Sequence, residues 1–327
     1  MNRAHLHSER STASARERLA DLIRRACVLE ATARKPGNVH PAAAFDDLRY
    51  DDFVRAAQVA APELARANEL GVGRAVFHAI TRTRDEAGNN VNLGIALSIA
   101  PLAAVPAGTP LVDGIDAVLD SLTRDDASFV YRAIRLARPG GLGAADEEDG
   151  AAEPTRPLRE VMALAAERDA IAAEYAAGFP LVLRLGLPFL MESRHVFVAE
   201  LARVPTDSPA RAAEFLRIPL PGEDIAPWEE PIIALHLRLM ATRPDTLIAR
   251  KCGVEIARES ATRAARVLEA GWPHAAEGRE ELARLDDWLR ADGHRRNPGT
   301  TADLVAASLF AALREGISPL ALEDREM

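Results

Sequence analysis

Short breaks of glycine, proline and asparagine interrupt this chain again and again, and alanine and leucine dominate the stretches between them. That pattern constrains the fold more than any other feature. Alanine and leucine give up little freedom in a helix, whereas the β-branched and aromatic clusters that favour strands are few, with aromatics at 5%. Leu19, Leu22, Ile23 and Ala26 fall on one helical face and mark a first helix over about 14–32. Similar patterning predicts helices over 50–70, 74–84, 91–104, 114–122, 128–137, 158–177, 231–241, 245–270, 279–291 and 300–315. A further one is expected near 209–216. Residues 180–201 (FPLVLRLGLPFL, then HVFVAEL) sit between strand and helix and read best as broken helix, and 138–157 reads as a long, mobile loop. The fold class is therefore all-α: a single multi-helix globular domain over 14–316, with a disordered tail at 1–13, another tail at 317–327, and a cleft formed by interhelix turns.

A chain of 327 residues with 48% hydrophobic content can bury a sizeable core. Its formal net charge of -9 argues against a general nucleic-acid binder, which needs a basic face. Cys27 and Cys252 form no CxxC pair, so neither a zinc nor a redox motif is present, and both read as reduced thiols. The first twenty residues are polar and charged, and the apolar stretch from Gly94 to Ala107 is cut by Pro101 and Pro106. These features predict a cytoplasmic protein with no membrane span.

Four breaks share one design, polar residues placed where a helix begins. Helix starts leave N–H groups unpaired and carry positive partial charge, which suits a polyphosphate. The first break is Arg34-Lys35-Pro36-Gly37-Asn38-Val39-His40, where Lys35 offers a point charge and Gly37 permits close backbone approach. By pattern alone, an ordinary interhelix turn with solvated cations is the simpler explanation. The second is Gly88-Asn89-Asn90-Val91-Asn92-Leu93-Gly94, whose amides either cap helices or bind phosphate or base. The third lies on 158–177, where Glu167 and Glu174 share a face and Glu174 precedes the Gly178-Phe179-Pro180 break. The fourth pairs Asp245-Thr246 with Asn297-Pro298-Gly299-Thr300-Thr301-Ala302-Asp303. Asp245 is a plausible helix cap, and Thr300 with Asp303 resembles a capping box. An acid at an anion-binding helix start would repel phosphate unless a cation bridges them, so both aspartates are magnesium candidates if the ligand is a nucleoside triphosphate.

In this order, KPGNV (Lys35 to Val39), GNNVNLG (Gly88 to Gly94), EYAAGFP (Glu174 to Pro180), DTLIARKCG (Asp245 to Gly253) and NPGTTADL (Asn297 to Leu304) resemble the triphosphoribosyl-dephospho-CoA synthase family. Glu30 also fits, and the resemblance spans about 30–315. The chain departs from the family's His-Lys in the second motif with Asn92 and Leu93, and from its DTN with Asp245-Thr246-Leu247. Its HRGG becomes Arg250-Lys251-Cys252-Gly253, where Lys251 replaces one charge. These departures mark a divergent branch.

The resemblance implies transfer of the triphosphoribosyl group of ATP to the 2′-hydroxyl of 3′-dephospho-CoA, with adenine released and magnesium present. It implies that Lys35, Arg250 and Lys251 clamp phosphates and that Asn90 binds donor phosphate or base. Gly37, Asn38, Asn92, Thr300 and Thr301 join the binding set, Asp245 and Asp303 hold magnesium, and Glu174 is the general base with Asp303 also catalytic. ATP and dephospho-CoA, or a related acceptor, are the implied partners, and the oligomeric state stays open. Competing readings are the same chemistry on another cofactor precursor and a nucleotide-binding relative without catalysis. A prenyl synthase using Asp46-Asp47 with Asp51-Asp52, or Asp286-Asp287 with Asp292, is a third. An HD phosphohydrolase is disfavoured because no His-Asp dipeptide exists.

Overall fold

The computed structural model describes residues 3–87, 91–137, 153–193 and 225–317, and apart from isolated bridges in the turn 40–48 these residues contain no strand. The all-α expectation holds. The opening helix α1 (Arg3–Thr32) begins well before residue 14, so 3–13, expected as a tail, has helical backbone. Then come α2 (Tyr50–Leu64), α3 (Ala67–Leu70), α4 (Val72–Ala87), α5 (Leu93–Ala104), α6 (Leu111–Asp120) and α7 (Arg124–Ala137). They are followed by α8 (Leu158–Ala165), α9 (Ala170–Ala177), α10 (Leu187–Glu192), α11 (Glu229–Thr242), α12 (Thr246–Cys252), α13 (Val254–Glu269), α14 (Ala276–Arg290) and α15 (Gly299–Ala312).

Three predicted helices are divided, each for a local reason. The stretch 50–70 breaks after Leu64, just past Pro62. The stretch 158–177 breaks because Asp169 leaves helical geometry and caps α9, accepting from the Ala172 N–H at 2.9 Å. The stretch 245–270 breaks at Gly253, whose φ of 94° is open to glycine and strained for other residues. The ambiguous segment after Gly178 is helical: a π-helical turn over Leu181–Gly186 runs straight into α10. The expected helix near 209–216 and most of the expected loop 138–157 lie outside the described residues, as do 194–201 and 318–327.

Two hydrophobic clusters share one helix. The larger gathers buried residues of α1 to α11 and α15, and the smaller gathers residues of α11 to α14 around Trp272 and Leu289. Helix α11 serves both. Ile232, Leu235 and Leu239 face the first, and Ile233, Leu237 and Met240 face the second. At roughly 1.5–3 kcal/mol for each fully buried aliphatic side chain, this helix joins the halves firmly. Helix α15 packs against α1, α5, α11 and α12. That packing brings the C-terminal end of α1 to the starts of α5, α12 and α15.

Candidate active site

Asp303, just past the first turn of α15, is the centre of this meeting point. It keeps some exposure although protein surrounds it, and among the described residues it has no hydrogen-bond or salt-bridge partner. The predicted capping box with Thr300 does not form, since no side chain caps α15. The carboxylate lies instead against the backbone of Gly94 at the start of α5, where an added Cβ would come within 1.9 Å of it. Burial first, then the negative charges of Glu30, Asp245 and Asp169, hold its proton affinity well above the ordinary carboxylate range, and Arg250 opposes them. A carboxylate in such company favours any positive charge offered to it.

Glu30, absent from the predicted site set, faces the same point from α1 and is buried. Its Oε1 pairs with the Lys35 ammonium at 3.0 Å. The sequence held a signal for it: Ile23, Cys27 and Glu30 share the apolar face of α1, so an acid stands where packing alone wants a hydrocarbon.

Lys35 corrects the sequence reading. It is fully buried, and its ammonium donates to the Glu30 and Ala33 carbonyls besides pairing with Glu30. Three N–H groups meet three acceptors, which leaves none for phosphate. The surrounding turn is equally engaged. Arg34 grips Glu229 through its guanidinium and its backbone N–H. The Gly37 N–H donates to Asp286 at 2.7 Å, and a Cβ there would strike Leu289 and Pro298. Gly37 therefore serves helix packing, not close ligand approach. Asn38 donates to the Asn297 side chain at 2.7 Å, tying the first and fourth motifs together.

Asp245 is the predicted cap, and more. One oxygen accepts from the Leu247 and Ile248 N–H groups at 2.8 and 3.0 Å. The other accepts from the Thr301 N–H and hydroxyl at 2.7 and 2.8 Å. All four bonds point inward, so the starts of α12 and α15 are joined by one carboxylate. Its lone pairs are occupied, and it does not fit a metal ion. Thr301 is committed by the same bonds, and the Thr246 hydroxyl donates to that of Thr300 at 3.2 Å. Among the described residues no group of three or more His, Cys, Asp or Glu side chains is placed to hold a metal ion.

Arg250 pairs with Asp169 at 2.7 Å and keeps partial exposure. Lys251 is half-buried, and its ammonium has no partner among the described residues. Burial lowers its proton affinity, with nearby Asp245 and Asp47 opposing. Asn92 is buried and donates to Thr83 at 3.1 Å, and Leu93 is buried beside it, so neither is presented to solvent. Asn90 lies outside the described residues.

Glu174 stands apart from this cluster. Its two oxygens accept from the Leu181 and Val182 N–H groups at 3.1 and 3.0 Å, across the turn made by Gly178 and Phe179. Burial raises its carboxyl to about 7, partly offset by these two bonds. The geometry is that of a side chain bracing a helix joint, which corrects its expected role as base. Both aspartate-rich clusters are likewise structural. Asp52 accepts from the Arg49 N–H at the start of α2, Asp47 meets His294, and Asp286 holds Gly37 and Arg290.

Comparison with known proteins agrees with the all-helical fold. The family model for ATP:dephospho-CoA triphosphoribosyl transferase matches residues 16–206 and 210–320. A Pseudomonas syringae pv. tomato protein named as a 2-(5″-triphosphoribosyl)-3′-dephosphocoenzyme-A synthase is 30% identical over 142 residues, 43% of this chain and 38% of that protein. The matched part thus spans well under half of that relative's length. A crystal structure of an Archaeoglobus fulgidus protein, titled as a triphosphoribosyl-dephospho-CoA synthase, superposes with a TM-score of 0.56 at 25% identity. It covers 80% of this chain and 98% of its own.

Proposed function

Because this chain belongs to the ATP:dephospho-CoA triphosphoribosyl transferase family, we propose that it transfers the triphosphoribosyl group of ATP to the 2′-hydroxyl of dephospho-CoA and releases adenine. The observation that carries this reading is Asp303, a carboxylate without a hydrogen bond, beside Glu30 at the meeting of three helix starts and the end of α1. In the transfer, the bond from C1′ to the adenine nitrogen breaks and a bond from C1′ to the acceptor oxygen forms. Positive charge builds on the ribose as the base departs, as it does in glycoside cleavage. Asp303 faces that charge, and Glu30 takes the hydroxyl proton of the acceptor. The proton lost by the hydroxyl is the one the adenine finally carries.

With Asp245 saturated, Glu30 and Asp303 are the carboxylates among the described residues at this meeting point that would hold magnesium. Bound there beside the triphosphate, it would neutralise phosphate charge, as is usual for a magnesium held by one or two carboxylates. Arg250 and Lys251 are the cations that keep exposure near the site, and they are the phosphate contacts we retain from the sequence. Lys35, Thr301 and Glu174 become supporting residues.

The test is free adenine, measured by chromatography after incubation with ATP, magnesium and dephospho-CoA. We expect adenine to appear only when the acceptor is present and the D303N variant to release none. Adenine formation by D303N at the wild-type rate removes Asp303 from the site. A second acceptor is favoured by one observation, the inward burial of Asn92 and Leu93 where the family's motif has His and Lys. Adenine released with a different cofactor precursor, and not with dephospho-CoA, supports that alternative.

A further inference from the structure

The joint between α8 and α9 is held from several sides, and Asp169 stands at its centre. Its Oδ1 accepts from the Ala172 N–H at 2.9 Å, which caps α9. Just before it, the Ala166 carbonyl accepts from the Arg243 guanidinium at 2.7 Å. Just after it, the buried Ala170 N–H donates to the Thr246 hydroxyl at 3.3 Å, and that hydroxyl donates to Thr300 at 3.2 Å. The starts of α9, α12 and α15 are thereby tied together, and the backbone that carries Asp169 has little room to move. Its second oxygen is left for another duty, and it meets Nη1 of Arg250 at 2.7 Å.

An exposed ion pair between two long side chains contributes little, because both must be ordered to form it. Asp169 is short and already fixed by its cap, so here only the arginine is ordered. The bond to Asp169 uses one of five guanidinium N–H groups, and Arg250 makes no other hydrogen bond among the described residues. Its remaining donors stay open, in a restricted orientation, on a helix whose start is bonded to Thr300 and Thr301 of the site. A planar fork already held in place loses little freedom when it meets a phosphate. The charge of Asp169 acts the other way, since it disfavours an anion. Both side chains of the pair are 28% exposed, however, and solvent screens that repulsion.

Resting on the functional reading above, we propose that Asp169 is a positioning residue that orients Arg250 for the triphosphate of the donor. Asp169 itself never touches substrate. The triphosphate stays on the ribose throughout the transfer, so a contact to it is equally strong in the ground state and the transition state. Losing the orientation of Arg250 therefore weakens the binding of ATP and leaves the chemical step nearly untouched.

A double-variant cycle tests this. Asparagine caps a helix as well as aspartate does, so D169N keeps the bond to Ala172 and should melt close to wild type. It loses the ionic bond to Arg250, and KM for ATP should rise about fivefold or more with kcat little changed. R250A should raise KM at least as far. In the R250A background D169N should cost nothing further, because the residue it orients is gone. A purely structural role for Asp169 as a cap predicts the same loss with or without Arg250. Dissociation constants for ATP and for inorganic tripolyphosphate, measured by calorimetry with magnesium present, should follow the same pattern and keep the cycle readable in inactive variants. R250K keeps the charge but not the planar fork that Asp169 aligns, so its loss should approach that of R250A. Wild-type affinity in R250K overturns the inference even if D169N folds poorly. Affinity in D169N equal to or tighter than wild type, or additive losses in the double variant, overturns it as well. So does a wild-type protein that binds neither ligand. A wild-type protein that binds ATP yet releases no adenine sinks the functional reading alone, and the cycle in ATP affinity still decides the role of Asp169.

Discussion

Gly94 and Asp303 form the most sensitive residue pair. The carboxylate lies so close to the Gly94 backbone that a methyl group cannot share the space. Asp303 is short but able to rotate, so the G94A variant should displace the acid more than it unfolds the chain. Adenine release should then collapse while the melting temperature falls by only a few degrees, on the order of 1–2 kcal/mol. The D303N variant should melt at or above the wild-type temperature, because a carboxylate crowded by Glu30, Asp245 and Asp169 is removed. Asp303 was legible as a candidate from its place after a Gly-Thr-Thr helix start. Its solitude was not, because sequence spacing favoured a capping box that the fold does not build. Lys35 shows the same limit. A lysine before Pro-Gly reads as a surface cation, and only the three-dimensional path of α1 shows that it turns inward to Glu30.

At the level of elements, Asp245 holds together what the sequence shows as separate motifs. Its cap on α12 was legible from the Asp-Thr spacing, but its grip on Thr301 spans 56 residues of chain and has no local signature. The D245A variant loses a helix cap and two buried bonds to the start of α15. It should be destabilised by about 2–4 kcal/mol, read from urea unfolding midpoints. Helix boundaries were the least legible feature. Asp169 and Gly253 each look tolerable inside a helix, and both interrupt one, through a side-chain cap on the helix that follows and a positive φ. Glu174 belongs to this scale as well. Its raised carboxyl makes the folded state bind a proton more tightly than the unfolded chain does. The stability it contributes is therefore complete below about pH 4.5 and is lost as the pH rises through about 7. Urea midpoints of wild type should fall between pH 5 and pH 8, and E174Q should show a shallower slope over that window. An equal slope in both proteins would assign the dependence to other groups.

For the molecule as a whole, α11 decides how the two clusters behave. Leu235 and Leu239 are set in one and Leu237 and Met240 in the other, so neither cluster can lose order without exposing this helix. Trp228 reports on the larger cluster, and Trp272 and Trp288 report on the smaller. In single-tryptophan variants these probes should give coincident thermal transitions. Separated midpoints would mean that the shared helix does not couple them. No single helix among the described residues is long and apolar enough to cross a membrane. The all-helical architecture was legible because alanine-rich helices and their glycine and proline breaks are local signals. The sharing of α11 was not, since its apolar residues spread over more than one face and its periodicity names no partner.

The contact between Gly94 and Asp303 also carries a genetic consequence. Alanine at 94 is harmful only because a carboxylate already occupies the space, so the defect is conditional on the second residue. D303A should act as a suppressor of G94A for folding, with the double variant as stable as D303A alone, while neither genotype regains turnover. Such one-sided epistasis would map the closest approach of α5 and α15 without any ligand bound.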